Sequence, residues 1–165
     1  MGVVVVRKRY ELLSDNLILI IKEIMKNEKL CKLIDNNNNT PLSNINPTTN
    51  LLNVKIFPYS FDPEAVIEKQ TQLRVFYPSG RIKNRVIEDT DICFDIVIHK
   101  DLHLIGIDNR SCLRELEIMS ELLNTFEDKS ISTLGIIKFT NFVSLNINRE
   151  FDCFRVLGKI MTIGG

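Results

Sequence analysis

The chain has 165 residues, 44% hydrophobic and 25% charged, with 21 basic residues against 21 acidic ones. That length suits one hydrophobic core, and the balanced charge gives no global source of attraction to nucleic-acid phosphates. The four cysteines, Cys31, Cys93, Cys112 and Cys153, form no C-x-x-C pair and read as buried free thiols of a reducing compartment rather than a disulfide framework.

The opening "MGVVVVRKRYELL" places its apolar run before its basic residues, the reverse of a signal peptide, and Val6 stands where a myristoylation motif wants Ser or Thr. The basic cluster Val6 to Tyr10 reads as a solvated end more readily than a binding arm. From Tyr10 to Ile34, Leu13, Leu17, Ile20, Ile21, Ile24, Leu30 and Leu33 recur at intervals of three and four, which predicts an amphipathic helix with Ser14 or Asp15 placed to cap its main part. Lys22 and Glu23 interrupt the apolar stretch "NLILIIKEIM" far short of a membrane span. Asp35 to Asn50, "DNNNNTPLSNINPTTN", is rich in turn formers and predicts a loop, either disordered or used for contact.

Three strands are predicted next: Leu52 to Phe57, Thr71 to Tyr77 and Thr90 to His99, separated by the turn signals "PYSFDPE" and "YPSGRIKN". In the third, Ile92, Phe94, Ile96 and Ile98 share one face and Asp91, Cys93, Asp95 and Val97 the other. A second helix is expected over Arg110 to Phe126, with Leu113, Leu116, Met119, Leu123 and Phe126 as the inner stripe and Glu115, Glu121 and Asn124 outside it. "LGIIKFTNF" and "DCFRVLGKIMTIGG" predict two closing strands. The expected fold is α+β: a single domain with an antiparallel sheet packed against two helices on one side, a long hairpin, a flexible loop over 35–50, and strand-like terminal arms at 1–9 and 159–165.

"HKDLH", His99 to His103, sets two histidines at i and i+4, the spacing of a zinc-protease helix. That chemistry wants a Glu after the first His as general base, and Lys100 stands there. The alternation before His99 instead predicts a hairpin turning at Lys100 and Asp101, pairing His99 with Leu102 and Ile98 with His103 and sending the two histidines to opposite faces. A Cys93–His99 nucleophile pair and a carboxylate cluster of Asp89, Asp91 and Asp95 are the other conceivable chemistries, each with a plainer account as buried thiol or strand surface. No phosphate loop, dinucleotide fingerprint or nucleophile elbow is present. No catalytic, cofactor-binding or metal residue is assigned, and no cofactor is expected.

Taken in order, the helix from Leu12 to Leu33 and the segments "VKIFPYSFDP", "DICFDIVIHKDLHLI", "NRSCLRELEIMSELLNTF" and "STLGIIKF" resemble the neck and tail-terminator proteins of tailed bacteriophages. The resemblance spans nearly the whole chain, with His103 where such proteins often carry Trp, in an aromatic-like packing slot. It implies a non-enzymatic virion protein forming a ring, as a hexamer, that joins the tail tube or sheath to the head–tail connector. It implies residence in the virion neck, with host cytoplasm as the place of assembly, DNA only passing through the lumen, and no membrane. The terminal arms or the Asn-rich loop would then contact the next subunit. A head-completion stopper or portal adaptor ring is the neighbouring alternative. A small metal- or thiol-dependent enzyme using His99, His103 and Cys93 is the alternative of another class.

Overall fold

The computed structural model describes residues 9–43, 50–65, 67–84, 86–131 and 134–161. The first apolar stripe forms two helices, α1 (Arg9–Met25) and α2 (Glu28–Asp35), where one was expected over Tyr10 to Ile34. Asn27 causes the break. Its backbone is extended and its side chain accepts a hydrogen bond from the Leu30 amide at 3.0 Å, so it starts a new helix. The kink lets Ile20, Ile21 and Ile24 of α1 and Leu30, Leu33 and Ile34 of α2 all enter the core. Ser14 and Asp15, expected as caps, lie inside α1.

The sheet contains β1 (Ile56–Phe57), β2 (Thr71–Phe76), β3 (Gly80–Lys83), β4 (Val86–His99), β7 (Ser130–Ile131), β8 (Gly135–Asn146) and β9 (Phe151–Met161). Its order is β1-β2-β4-β9-β8-β7, with β3 paired to the start of β4 on the side β2 occupies further along. Every pairing is antiparallel except β1 with β2. Leu73, Val75, Ile92, Phe94, Ile96, Phe154 and Val156 point from one face into a core closed by α1, α2 and α3 (Arg114–Phe126). The α+β expectation therefore holds, with three helices in place of two.

Several boundaries differ. The strand expected over Leu52 to Phe57 shrinks to Ile56–Phe57, because the chain turns at Asn53, whose φ is 59°. "YPSGRIKN", read as a turn, contains β3. Within the expected 35–50 loop, Asp35 ends α2 and Pro41–Ser43 is a 310 turn with Pro41 buried; residues 44–49 lie outside the described set. The expected arm at 159–165 is corrected in its described part: Lys159 to Met161 are paired between or beside neighbouring strands of the sheet. Residues 1–8 and 162–165 lie outside the described set, and Arg9 begins α1.

The hairpin expected at "HKDLH" is also corrected. Beyond Thr90, β2 takes one edge of β4 and β9 the other, so the chain leaving His99 has no free edge to return along. It makes a 310 turn over Lys100–Leu102 and departs into a separate two-stranded sheet, β5 (Leu104–Ile107) with β6 (Arg110–Leu113). Asp108 and Asn109 join these strands with φ of 49° and 63°, the left-handed pair of a two-residue type I′ turn. The strand β6 takes the first residues of the helix expected from Arg110, and α3 starts at Arg114.

The phase of α3 differs as well. Ile118, Leu122 and Phe126 are buried, together with Arg114 and Glu121, whereas Leu113 and Leu116 are 40% and 41% exposed. The helix is turned by the burial of Arg114, a residue that an apolar count places outside.

Candidate functional site

Four arrangements concentrate polar or exposed apolar groups. The first is the sheet face away from the helices. Alternation along β2, β4 and β9 sends Gln72, Arg74, Cys93, Asp95, Cys153 and Arg155 to this side. Arg155 grips Asp95 with two parallel bonds, Nε to Oδ1 at 2.8 Å and an outer nitrogen to Oδ2 at 2.9 Å. Asp95 is 4% exposed, so the fork satisfies a carboxylate that would otherwise be buried alone. Arg74 donates to Gln72 Oε1 at 3.0 and 2.6 Å and lies flat over Phe57, 3.8 Å from the ring centroid, with Tyr59 and Phe61 farther out. The segment from Phe57 to Phe61 thereby covers this face. It is tied at its far side by Asn148, which donates to the Pro63 carbonyl at 3.0 Å.

Cys93 sits in this layer as a protonated donor to Asp95 Oδ1 at 3.1 Å. Burial first, and the Asp95 charge second, push its thiol pKa far above the ordinary value. Cys153 is raised for the same two reasons. His99 lies six residues from Cys93 along one strand, about 20 Å at the usual rise, so the two cannot form a nucleophile and base pair. Its ring accepts from the Asp101 amide at 3.1 Å and meets Phe151 edge-on. Asp89, Asp91 and Asp95 do not cluster: they pair with Arg81, Ser79 and Arg155 respectively.

The second arrangement surrounds His103. Nε2 is 3.0 Å from Asp152 Oδ2 of β9, and Nδ1 is 2.9 Å from Glu115 Oε2 of α3, close but not aligned as a hydrogen bond. Lys100 Nζ stands 3.9 Å from the other Asp152 oxygen. Burial alone lowers the histidine pKa, but the two carboxylates outweigh it and hold it above 6.5. His103 thus fills a charged slot rather than the aromatic-like one expected. Its two ring nitrogens face different carboxylates, so the three side chains do not converge on one point. Among the described residues, no group of three or more His, Cys, Asp and Glu side chains is disposed to hold a metal ion.

The third is Arg114, 0% exposed, with no carboxylate in its hydrogen-bond set. It donates to the backbone carbonyls of Leu102 at 3.0 Å, Leu33 at 2.6 Å, Asn36 at 2.8 Å and Asn38 at 2.6 Å. Leu33 and Asn36 belong to the C-terminal end of α2, where the helix leaves carbonyls without amide partners and its dipole favours a cation. Burial lowers the guanidinium pKa to about 10, which still leaves it charged at neutral pH. Sequence reasoning missed this residue; its signal was a lone Arg after the strand-like "RSCL".

The fourth is an edge. Among the described residues, β8 pairs with β7 only at Gly135 and Ile136, so its outer side beyond Ile137 has no strand neighbour. Lys138 and a bulge at Thr140 protect the first part. Asn141 to Asn146, "NFVSLN", carries no charge, and Phe142 and Val143 are 59% and 39% exposed. Phe142 stacks on Phe154 and, with Met119, Leu123 and Phe139, lines a groove between β8 and α3. Leu116 continues that stripe along α3, and Leu113 continues it into β6, opposite Leu104, which is 64% exposed. Of the stripe predicted as the inner face of α3, Phe126 is buried, Met119 and Leu123 pack half-buried against the core, and Leu113 and Leu116 are exposed.

Cys93 and His99 stand too far apart to act together, and the ring nitrogens of His103 meet carboxylates. Among the described residues, no helix is long and apolar enough to cross a membrane. No curated protein and no solved structure matches the chain. The model of the YomW family matches residues 27–160, which include α2, α3, both charged clusters and the bare edge of β8. The chain belongs to the YomW family, a phage-derived family.

Proposed function

We propose that the protein is a non-enzymatic structural protein of the phage neck, a tail terminator that closes into a ring of six copies and joins the tail tube or sheath to the head–tail connector. The carrying observation is the uncharged edge Asn141 to Asn146 beside the exposed Leu116 and a groove lined by the half-buried Met119 and Leu123. An open edge presents unpaired amides and carbonyls, and natural proteins guard such edges with charge unless a partner strand covers them. The guard here stops at Lys138 and the Thr140 bulge. A lone chain gains nothing from leaving the rest bare, whereas a subunit that contacts its neighbour head to tail needs one such surface.

The phage origin of the family and the order of elements support the same reading. The buried cysteines and the separated His99 and Cys93 supply no competing chemistry. Light scattering of the purified protein over a concentration series tests the proposal. A closed ring of fixed mass, reached directly or on concentration, is the expected result. A monomer throughout the series overturns it.

A further inference from the structure

We infer that, before the protein enters a ring, the bare edge of β8 pairs with the same edge of a second copy, antiparallel about a two-fold axis at Ser144. The inference goes beyond the ring reading and is tested separately from it. Three observations carry it.

The first is length and charge. Asn141 to Asn146 offers six residues of open edge without a charge. Among the described residues, no other strand with an open side matches it. The strands β1 and β7 have two residues each, β2 carries Arg74, β3 carries Arg81 and Lys83, and β6 carries Arg110. In β5, four residues long, the Gly106 amide already donates to the Asn39 carbonyl at 2.7 Å.

The second is what self-pairing demands. Each residue of a two-fold pair meets a residue of the same run, so a charge within the run brings its own like close, and like charges opposed across strands cost stability. An edge that receives a strand of different sequence is under no such constraint. The one charge of β8, Lys138, lies beyond the bulge at Thr140. In a pair centred on Ser144 it falls past the end of the second strand at Asn146 and does not meet its copy.

The third is register. Opposed residues of an antiparallel pair share a face, so the two-fold axis stands normal to the sheet and passes between one residue and its own copy. Centred on Ser144, Val143 opposes Leu145 of the second copy, twice by symmetry, and the two Ser144 hydroxyls meet. Val143 and Leu145 lie on the face away from the helices, opposite Arg155 and Cys153 of β9. Centring on Val143 sets Leu145 against Asn141 instead, so the apolar match selects Ser144. On the helix side, the axis brings the grooves of both copies, lined by Met119, Leu123 and Phe142, next to each other across the joint.

Such a contact is isologous: it uses the edge on both members and stops at two copies. A head-to-tail contact at this edge begins only when the pair parts. Self-pairing therefore holds the unassembled protein back from ring closure.

The test uses the full-length chain. Ser144→Cys is treated with a mild oxidant and run without reductant beside the unsubstituted protein. Opposed residues have Cα atoms about 4.5–5.5 Å apart, within reach of a disulfide. A linked pair above the background of the native cysteines is the expected result. A head-to-tail contact cannot give this link, because it does not bring position 144 of two copies together. In parallel, Ser144→Lys and Ser144→Glu are examined by light scattering and circular dichroism, alone and mixed. Each alone should stay folded and need about tenfold more protein to pair, and the mixture should pair again. Where circular dichroism shows a charged variant unfolded, the Ser144→Cys link decides alone. Absence of that link, or charged variants that pair as the unsubstituted protein does, overturns the inference, and rings formed without the link leave the ring reading standing. A pair that links at position 144 and never grows to a ring upholds the inference and overturns the ring reading. A monomer at every concentration overturns both.

Discussion

Arg114 and Arg155 are buried by opposite means. Arg155 keeps one-third of its side chain in solvent and meets a carboxylate in a bidentate fork, whereas Arg114 is wholly enclosed and meets only backbone carbonyls. The first is a charge pair that could be swapped for apolar packing at modest cost. The second substitutes for the missing end of a helix. Its four acceptors come from α2, the turn after it, and the segment after β4, so one cation holds together three pieces of chain that share no strand pairing. The difference teaches that the architectural charge of this protein lies in the helical layer, while the charges on the far face of the sheet serve local order.

Replacing Arg114 breaks that comparison most sharply. Arg114→Met leaves the Leu33 and Leu102 carbonyls unpaired in the interior and those of Asn36 and Asn38 unpaired at its margin, and a loss of about 3–5 kcal/mol in urea unfolding is expected. Arg114→Lys should recover little, because an ammonium cannot spread to four acceptors in a plane. A loss under about 1 kcal/mol would mean that water fills the space and the cation is dispensable. Asp95→Asn should cost less, about 1–2 kcal/mol, since Arg155 can turn toward the solvent it already touches. If it costs as much as Arg114→Met, the two sites are not different in kind.

His103 yields a smaller and pH-dependent effect. Its folded pKa is raised, so its contribution is complete below about 6.5 and fades as pH rises through the folded value. His103→Gln should lower stability by less than about 1 kcal/mol at pH 6 and flatten the decline of stability between pH 6 and 9. A variant that keeps the wild-type slope would remove His103 as its source. Phe142→Asp should be the mildest for the isolated chain, within about 0.5 kcal/mol, because the ring is 59% exposed. The same variant should abolish the ring, which separates the surface that folds the subunit from the one that joins it.

Much of the sheet was legible. Period-two alternation located β4, and runs of β-branched and aromatic residues between turn signals located β2, β8 and β9. It did not report that both faces of β4 are covered, since Asp95 looks solvated until Arg155 is seen beside it. The register at "HKDLH" failed for a topological reason: which strands flank β4 depends on β9, more than fifty residues away. Asn27 was a legible cap that a continuous apolar period concealed. On α3, counting apolar residues found Phe126 and the half-buried Met119 and Leu123 but passed over Ile118 and Leu122, because the residue fixing the helix phase is an arginine. The bare edge of β8 was not legible, because it emerged only from strand order.

The extra residue at Thr140 sets a limit on growth. A bulge sharpens the local twist and interrupts the ladder, so a strand laid along Asn141 to Asn146 stops there and cannot run on past Lys138. Each contact is therefore short and counted. Copies joined in this way cannot merge into one flat, endless ribbon of the kind that makes fibrils. Any strand laid on this bare edge would meet, a residue away, a break in the ladder that ends it.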